Sequence, residues 1–425
     1  MDLNFFFALL GGLLVLAFIA NRLVRFTGVP DVIILLLTGV LIGPVLHWLN
    51  PEIFRGATRG FGTLALILIL FEGGLDIKLR EILQHFGRGL FLAIFSYLLT
   101  MGAIAVTCRV ALHFSWMDAL LIGAVLGCIS SSILLPVLQP VQLRRDVKVT
   151  LLVEASLGDA LAVLAVTTLL DIVSGGKSSA GAVAWSLGSS LLIATVCAVV
   201  AGMLWSYLLP LLSEERFWQV LTFAAVLLLY AGVHALKGNE LISVLVFGVA
   251  LSNFPAIRKR LHLEESGRTD WFNEMPVKAG QHGAAPDEYH QNQILTFHGE
   301  LAFLLRTFFF VLLGMLVDYT GLRQNLRLAL LCIAAILVAR FVTVQGGRFN
   351  WRTFSGLERE LMVWFVPRGL ITAVLGIEVV EVRGAAFGFL PSLAFALILI
   401  TNLVLLVGTL RARNLPVVEA EPETA

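Results

Sequence analysis

The chain has 425 residues, of which 58% are hydrophobic and only 14% charged, with a formal net charge of +1. An average soluble domain carries roughly 25% charged residues, so water is not the main solvent of this chain, and the near-neutral balance offers no basic surface for nucleic acid. Cys108, Cys128, Cys197 and Cys332 all fall in apolar stretches without metal-ligand or disulfide-framework spacing; they read as packing residues, and no cofactor is implied.

A membrane-spanning helix needs about 20 mostly apolar residues, and such runs recur from end to end. They predict an all-α polytopic membrane protein of about thirteen transmembrane helices, near 4–24, 31–49, 61–77, 89–112, 116–140, 148–172, 181–212, 217–236, 240–256, 297–317, 325–346, 358–381 and 392–411. The first run has no basic leader and no small-residue cleavage site, so it reads as a retained helix and not a signal peptide. Residues 1–413 are expected to form one membrane domain. Its long connection, about 258–293, is charged and aperiodic and reads as a solvated cytoplasmic linker, and 414–425 reads as a short cytoplasmic tail. Lysine and arginine are retained on the cytoplasmic side. They crowd the connections holding Arg22, Arg25, Lys78, Arg80, Arg88, Arg144, Arg145, Lys148, Arg216, the 258–278 stretch, Arg348, Arg352, Arg359, Arg411 and Arg413, and are roughly half as many in those holding Arg55, Arg59, Arg109, Lys177, Lys237, Arg323, Arg327 and Arg383. The bias places the N-terminus outside and the C-terminus in the cytoplasm of a multi-pass protein of the cell (inner) membrane.

Two spans are interrupted where a helix prefers continuity. The 116–140 run contains Gly127, then Ser130, Ser131 and Ser132, then Pro136; the 358–381 run contains Pro367-Arg368-Gly369. Each interruption lies in the middle member of a group of three spans, one group in each half of the chain, which is the arrangement an inverted repeat produces. Broken helices at matching positions of two halves point to a transporter's binding site.

Six ionisable residues lie well inside the spans: Glu72, Glu154, Asp159, Arg306, Arg340 and Arg368. Each costs about 2.5 to 3.5 kcal/mol at the bilayer centre, so each needs a partner or a wet cavity. With a rise of about 1.5 Å per residue, Glu72, Glu154 and Arg340 fall at one cytoplasmic level. Glu154 with Arg340 is the expected buried pair, with snorkelling of Arg340 to the headgroups as its alternative. Asp159 falls deeper, level with the serine break and Arg368. A lone carboxylate there holds either a proton or a dehydrated monovalent cation, not both, and that competition couples two fluxes. Ser156 shares its helix face and offers a hydroxyl. Carbonyls freed near Ser130, Ser131 and Ser132 offer the oxygen ligands that Na⁺, K⁺ or Li⁺ prefer. Arg306 either neutralises an acid or lines the pathway.

Leu-Phe-Glu-Gly-Gly-Leu-Asp (Leu70 to Asp76), Glu-Ala-Ser-Leu-Gly-Asp-Ala (Glu154 to Ala160), Arg-Thr-Phe-Phe-Phe-Val-Leu-Leu-Gly (Arg306 to Gly314) and Pro-Arg-Gly-Leu (Pro367 to Leu370) resemble, in order and helix context, the bacterial cation/proton antiporter superfamily, the sodium/hydrogen exchanger membrane domain. The resemblance implies the sodium/proton antiporter fold with two crossing broken helices, and a homodimer in which a six-helix core moves like an elevator against a dimerisation domain. It implies that Asp159 binds the ion, that Glu154 and Arg340 form a structural pair, and that Glu72 lines a cytoplasmic funnel. Gly158 stands where many relatives have asparagine, Ala155 where they have serine, and serines replace an acidic break motif. With no second acid beside Asp159, one proton per cation, hence electroneutral exchange, is expected. The alternatives are a K⁺/H⁺ efflux system, or a channel or non-transporting sensor on the same fold. No His-Glu-x-x-His, Gly-x-Ser-x-Gly or paired catalytic aspartate arrangement suggests an enzyme.

Overall fold

The computed structural model describes residues 3–49, 52–76, 79–141, 143–175, 180–212, 217–260, 286–317, 319–346 and 354–413. Among them every regular element is a helix: α1 (Leu3–Thr27), α2 (Asp31–Val40, continued by a π turn, Leu41–Val45), α3 (Glu52–Asp76), α4 (Leu79–Leu112), α5 (Trp116–Leu126), α6 (Ser131–Leu138), α7 (Arg145–Gly175), α8 (Ala180–Leu212), α9 (Trp218–Ala235), α10 (Glu240–Arg260), α11 (Pro286–Met315), α12 (Tyr319–Gly346), α13 (Gly356–Trp364), α14 (Leu370–Arg383) and α15 (Leu390–Arg413), with one 3₁₀ turn at Gly384–Phe387. Nine segments among the described residues are long and apolar enough to cross a membrane, the α5–α6 pair counted as one, and three shorter apolar helices cover Asp31–Val45, Gly60–Leu75 and Glu240–Asn253. The interrupted α13–α14 pair supplies the remaining predicted span, so the chain is a multi-pass membrane protein. Large apolar side chains such as Phe18, Trp185, Leu192 and Leu228 are exposed on α1, α8 and α9, a surface that suits hydrocarbon.

The helices outrun several predicted spans at their polar ends. α3 starts at Glu52, α4 at Leu79 and α11 at Pro286, because a helix continues past the apolar window wherever its backbone bonds still close. Proline at the first helical position loses nothing, since that N–H has no helical partner. The expected 258–293 connection is thereby shortened at both ends; residues 261–285 and the 414–425 tail lie outside the described residues.

Both expected breaks are present, and local chemistry accounts for them. α5 starts at a Ser115 cap whose hydroxyl accepts from the Asp118 amide at 3.1 Å and stops at Leu126, four residues before α6. α13 starts at a reciprocal capping box between Ser355 and Glu358. It stops at Trp364, just ahead of Pro367, which has no N–H to give and pushes the preceding residue out of helical geometry. Residues Phe365 to Gly369 are all buried although non-helical, so their backbone groups need partners from other elements.

The chain divides into two compact units. One comprises Met1–Leu66, Glu81–Ser179 and Leu304–Ala425 and holds both broken helices, α7, α12 and α15. Within it α2 and α11 approach backbone to backbone: a Cβ added to Gly39 would stand 2.9 Å from the Gly314 Cα, and one added to Gly314 would stand 3.0 Å from the Gly39 Cα. The other unit, Ile67–Arg80 with Ala180–Phe303, is built on α8, α9 and α10. There a Cβ on Gly248 would stand 3.1 Å from the Gly74 Cα. Small residues that let backbones meet are the usual means of packing helices in lipid.

Candidate ion-binding site

Two buried carboxylates of α7, Glu154 and Asp159, stand about 140° apart around the helix and ~7.5 Å apart along it. They therefore face different neighbours. Asp159 is 3% exposed and meets the start of α6. Its Oδ2 accepts from the Ser131 hydroxyl at 2.7 Å and from the Ser131 amide at 3.3 Å. Ser131 is the first residue of α6, so the carboxylate sits at a helix N-terminus, where free amides and the helix dipole favour negative charge. Asp159 Oδ1 is buried and has no hydrogen-bond partner among the described residues.

The two breaks meet beside this carboxylate. The Ser130 amide donates to the Pro367 carbonyl at 2.9 Å. Gly369 follows so closely that a Cβ there would come within 2.7 Å of the Ser130 Cβ. The Ser130 and Ser132 hydroxyls are 3.2 Å apart, and the Cys128 Sγ is 3.7 Å from the Thr372 hydroxyl. Arg368, 1% exposed, directs its guanidinium at backbone: Nε donates to the Leu126 carbonyl at 2.9 Å and Nη1 to the Val366 carbonyl at 3.2 Å. These are the carbonyls left open where α5 and α13 stop, and a cation at a helix C-terminus also offsets its dipole. Thr401 and Asn402 of α15 fix the Arg368 backbone, at 3.1 Å to its amide and 2.9 Å to its carbonyl. Arg368 makes no ion pair with Asp159, and no arginine occupies the Asp159 carboxylate among the described residues.

Glu154 has the opposite surroundings. Its Oε1 is paired with Arg340 Nη1 of α12, and Arg340, 1% exposed, does not snorkel. Arg340 Nε donates to the Met362 carbonyl at 2.9 Å and Nη1 to the Ser96 hydroxyl at 3.3 Å. One ion pair thus joins α4, α7, α12 and α13.

Arg306 of α11 neutralises an acid, one of the two roles that its sequence position left open, and also reaches the break. Nη2 pairs with Asp31 Oδ2 of α2 at 2.9 Å, and Nη1 donates to the Ser132 carbonyl at 3.0 Å. Ser156 forms no side-chain hydrogen bond among the described residues; the hydroxyl on Asp159 comes from Ser131, because the packing of α6 on α7 outweighs spacing along one helix. Glu72 belongs to the other unit, where its Oε1 lies beside Gly299 of α11, 3.3 Å from where a Cβ would be. Asp31, Ser96, Cys128, Thr372, Thr401 and Asn402 join these networks without having been singled out as site residues. Adjacent polar residues in the apolar run Leu-Ile-Thr-Asn-Leu would have flagged Thr401 and Asn402.

Relatives match most of the length of this chain. The K(+)/H(+) antiporter NhaP2 of Shewanella sp. (strain MR-4) is 24% identical over 99% of this chain and 69% of its own. The Na(+)/H(+) antiporter 1 of Methanocaldococcus jannaschii is 22% identical over 89% of this chain and 84% of its own. The solved structure of the sodium proton antiporter MjNhaP1 from that organism superposes with a TM-score of 0.74 at 21% identity, covering 96% of this chain and all of that one, and so shares its fold. The family profile described as sodium/hydrogen exchanger, transmembrane, matches residues 13–412; the chain belongs to the sodium/hydrogen exchanger family.

Proposed function

We propose that this protein is a secondary antiporter exchanging a monovalent cation for H⁺ by alternating access, with both ions competing for Asp159. The carrying observation is the state of that carboxylate. It is buried at a helix break, hydrogen-bonded through Oδ2 to Ser131 only, and its Oδ1 is left without a partner among the described residues. A proton satisfies such an oxygen, and so does a hard cation completed by break hydroxyls and carbonyls. Glu154 also keeps one oxygen, Oε2, without a hydrogen-bond partner among the described residues, but its charge is matched by Arg340, and it serves as structure. Ser130, Ser131 and Ser132 supply oxygens, Arg368 and Arg306 satisfy the carbonyls of the breaks, and Glu72 lines the cytoplasmic approach. Relatives named for K⁺ and for Na⁺ both support a monovalent substrate, which covers the K⁺/H⁺ efflux reading. One carboxylate per site gives one proton per cation, hence electroneutral exchange. The working protein is a homodimer in the cell membrane, N-terminus outside and C-terminus in the cytoplasm.

In proteoliposomes with an imposed pH gradient, adding Na⁺, K⁺ or Li⁺ is expected to move protons, with Asp159→Asn silent and the rate unchanged by a potassium-clamped membrane potential. A wild type silent to all three cations, or an active Asp159→Asn, overturns the reading; a rate that follows the clamp overturns electroneutrality alone.

A further inference from the structure

Pro136 sits inside α6 and has no N–H, so the helical bond that residue 136 would give to the carbonyl four residues back cannot form. That carbonyl belongs to Ser132, and α6 begins only one residue earlier. An unpaired carbonyl in a membrane interior costs several kcal/mol. Arg306 Nη1 fills it at 3.0 Å. The guanidinium is in turn held by Asp31, whose two oxygens are both engaged: Oδ2 by Arg306 at 2.9 Å and Oδ1 by the Val32 amide at 3.0 Å. Asp31 is 1% exposed, and it is brought there by the packing of α2 on α11. Asp31 and Arg306 each lie eight residues before the glycine, Gly39 or Gly314, at which the two helices touch, so the helices run parallel and the charged pair falls two turns below the contact.

We infer that Asp31 is a positioning residue for cation exchange, acting through Arg306 on the break that holds Asp159. Two effects follow. The pair anchors the Ser132 carbonyl, one peptide from the Ser131 amide and hydroxyl that grip Asp159, and so fixes where those donors stand. Asp31 also cancels the charge of a guanidinium that touches the break to which a cation must bind. With the acid gone, the guanidinium loses the counter-charge 2.9 Å away, the break becomes more positive, and cation affinity falls. The inference rests on exchange at Asp159, and its test separates the two.

The expected result is that Asp31→Asn in proteoliposomes raises the half-saturating Na⁺ concentration roughly tenfold while the rate at saturating Na⁺ stays within about twofold. Asp31→Glu recovers most of the loss. Asp31→Asn with Arg306→Gln, which removes both charges and leaves an amide to serve the Ser132 carbonyl, returns the half-saturating concentration to within about threefold of wild type. A purely structural Asp31 would lower the yield or melting temperature of folded protein without moving the half-saturating concentration, and that outcome overturns the inference; so does a double variant as impaired as Asp31→Asn. Calorimetric Na⁺ titration of the detergent-purified variants reads the same affinities without turnover. A wild type that binds Na⁺ but does not exchange refutes antiport while leaving the Asp31 comparison decisive, and equal Na⁺ affinity of wild type and Asp31→Asn refutes the role of Asp31 alone.

Discussion

Glu154 and Asp159 stand five residues apart on one helix, are both buried, each keep one oxygen without a hydrogen-bond partner among the described residues, and differ in what holds the other. Glu154 Oε1 is held by the Arg340 guanidinium, which is itself tied to Met362 and Ser96; Asp159 Oδ2 is held by the uncharged donors of one serine. The contrast teaches that depth in the membrane does not mark an ion site. Partnership does. A carboxylate matched by a guanidinium is already neutralised, and a cation gains nothing there, whereas a carboxylate matched only by hydroxyl and amide donors still has charge to share.

Four substitutions break or sharpen that contrast. The largest effect is expected from Asp159→Asn, which keeps the shape and abolishes cation-driven proton movement while leaving the melting temperature at or above wild type, since a buried unpaired charge has been removed. Glu154→Gln should do the reverse: it strands Arg340 without its counter-charge, costing about 3–5 kcal/mol of stability, seen as a large drop in melting temperature, with exchange surviving in whatever folds. If Glu154→Gln instead abolished exchange at full stability, the two carboxylates would have to trade roles. Gly369→Ala drives a methyl into Ser130 and should cost about 1–3 kcal/mol, with exchange lost together with stability. The smallest change is Ser131→Ala, which removes one hydrogen bond to a charged group, worth about 1.5–3 kcal/mol; it should raise the half-saturating cation concentration at least about tenfold and lower the melting temperature by less than Glu154→Gln does.

The helices were legible because hydrocarbon demands an uninterrupted apolar run, and the breaks because serine, proline and glycine have no other reason to cluster within one. Depth arithmetic put Glu154 and Arg340 on one level, and the structure pairs them. What could not be read is contact between helices far apart in sequence. Asp31 stands at the first residue of α2, the edge of its predicted span, and gains its role only from Arg306 of α11, a helix distant in sequence. Arg306 had two readings because its acceptor, the Ser132 carbonyl, is created by a proline on another helix. Ser156 looked like the Asp159 hydroxyl because helix periodicity sees only neighbours on the same helix, and Ser131 comes from across the packing.

The bond from the Ser130 amide to the Pro367 carbonyl has a mechanical corollary. Pulling the breaks apart would strand a buried donor and acceptor, at about 1–3 kcal/mol each. Bending at either break is therefore the expensive way to change which side the ion sees. Moving the stitched pair as a single piece leaves that bond intact, so the two breaks are joined as one mechanical element and not as two independent hinges.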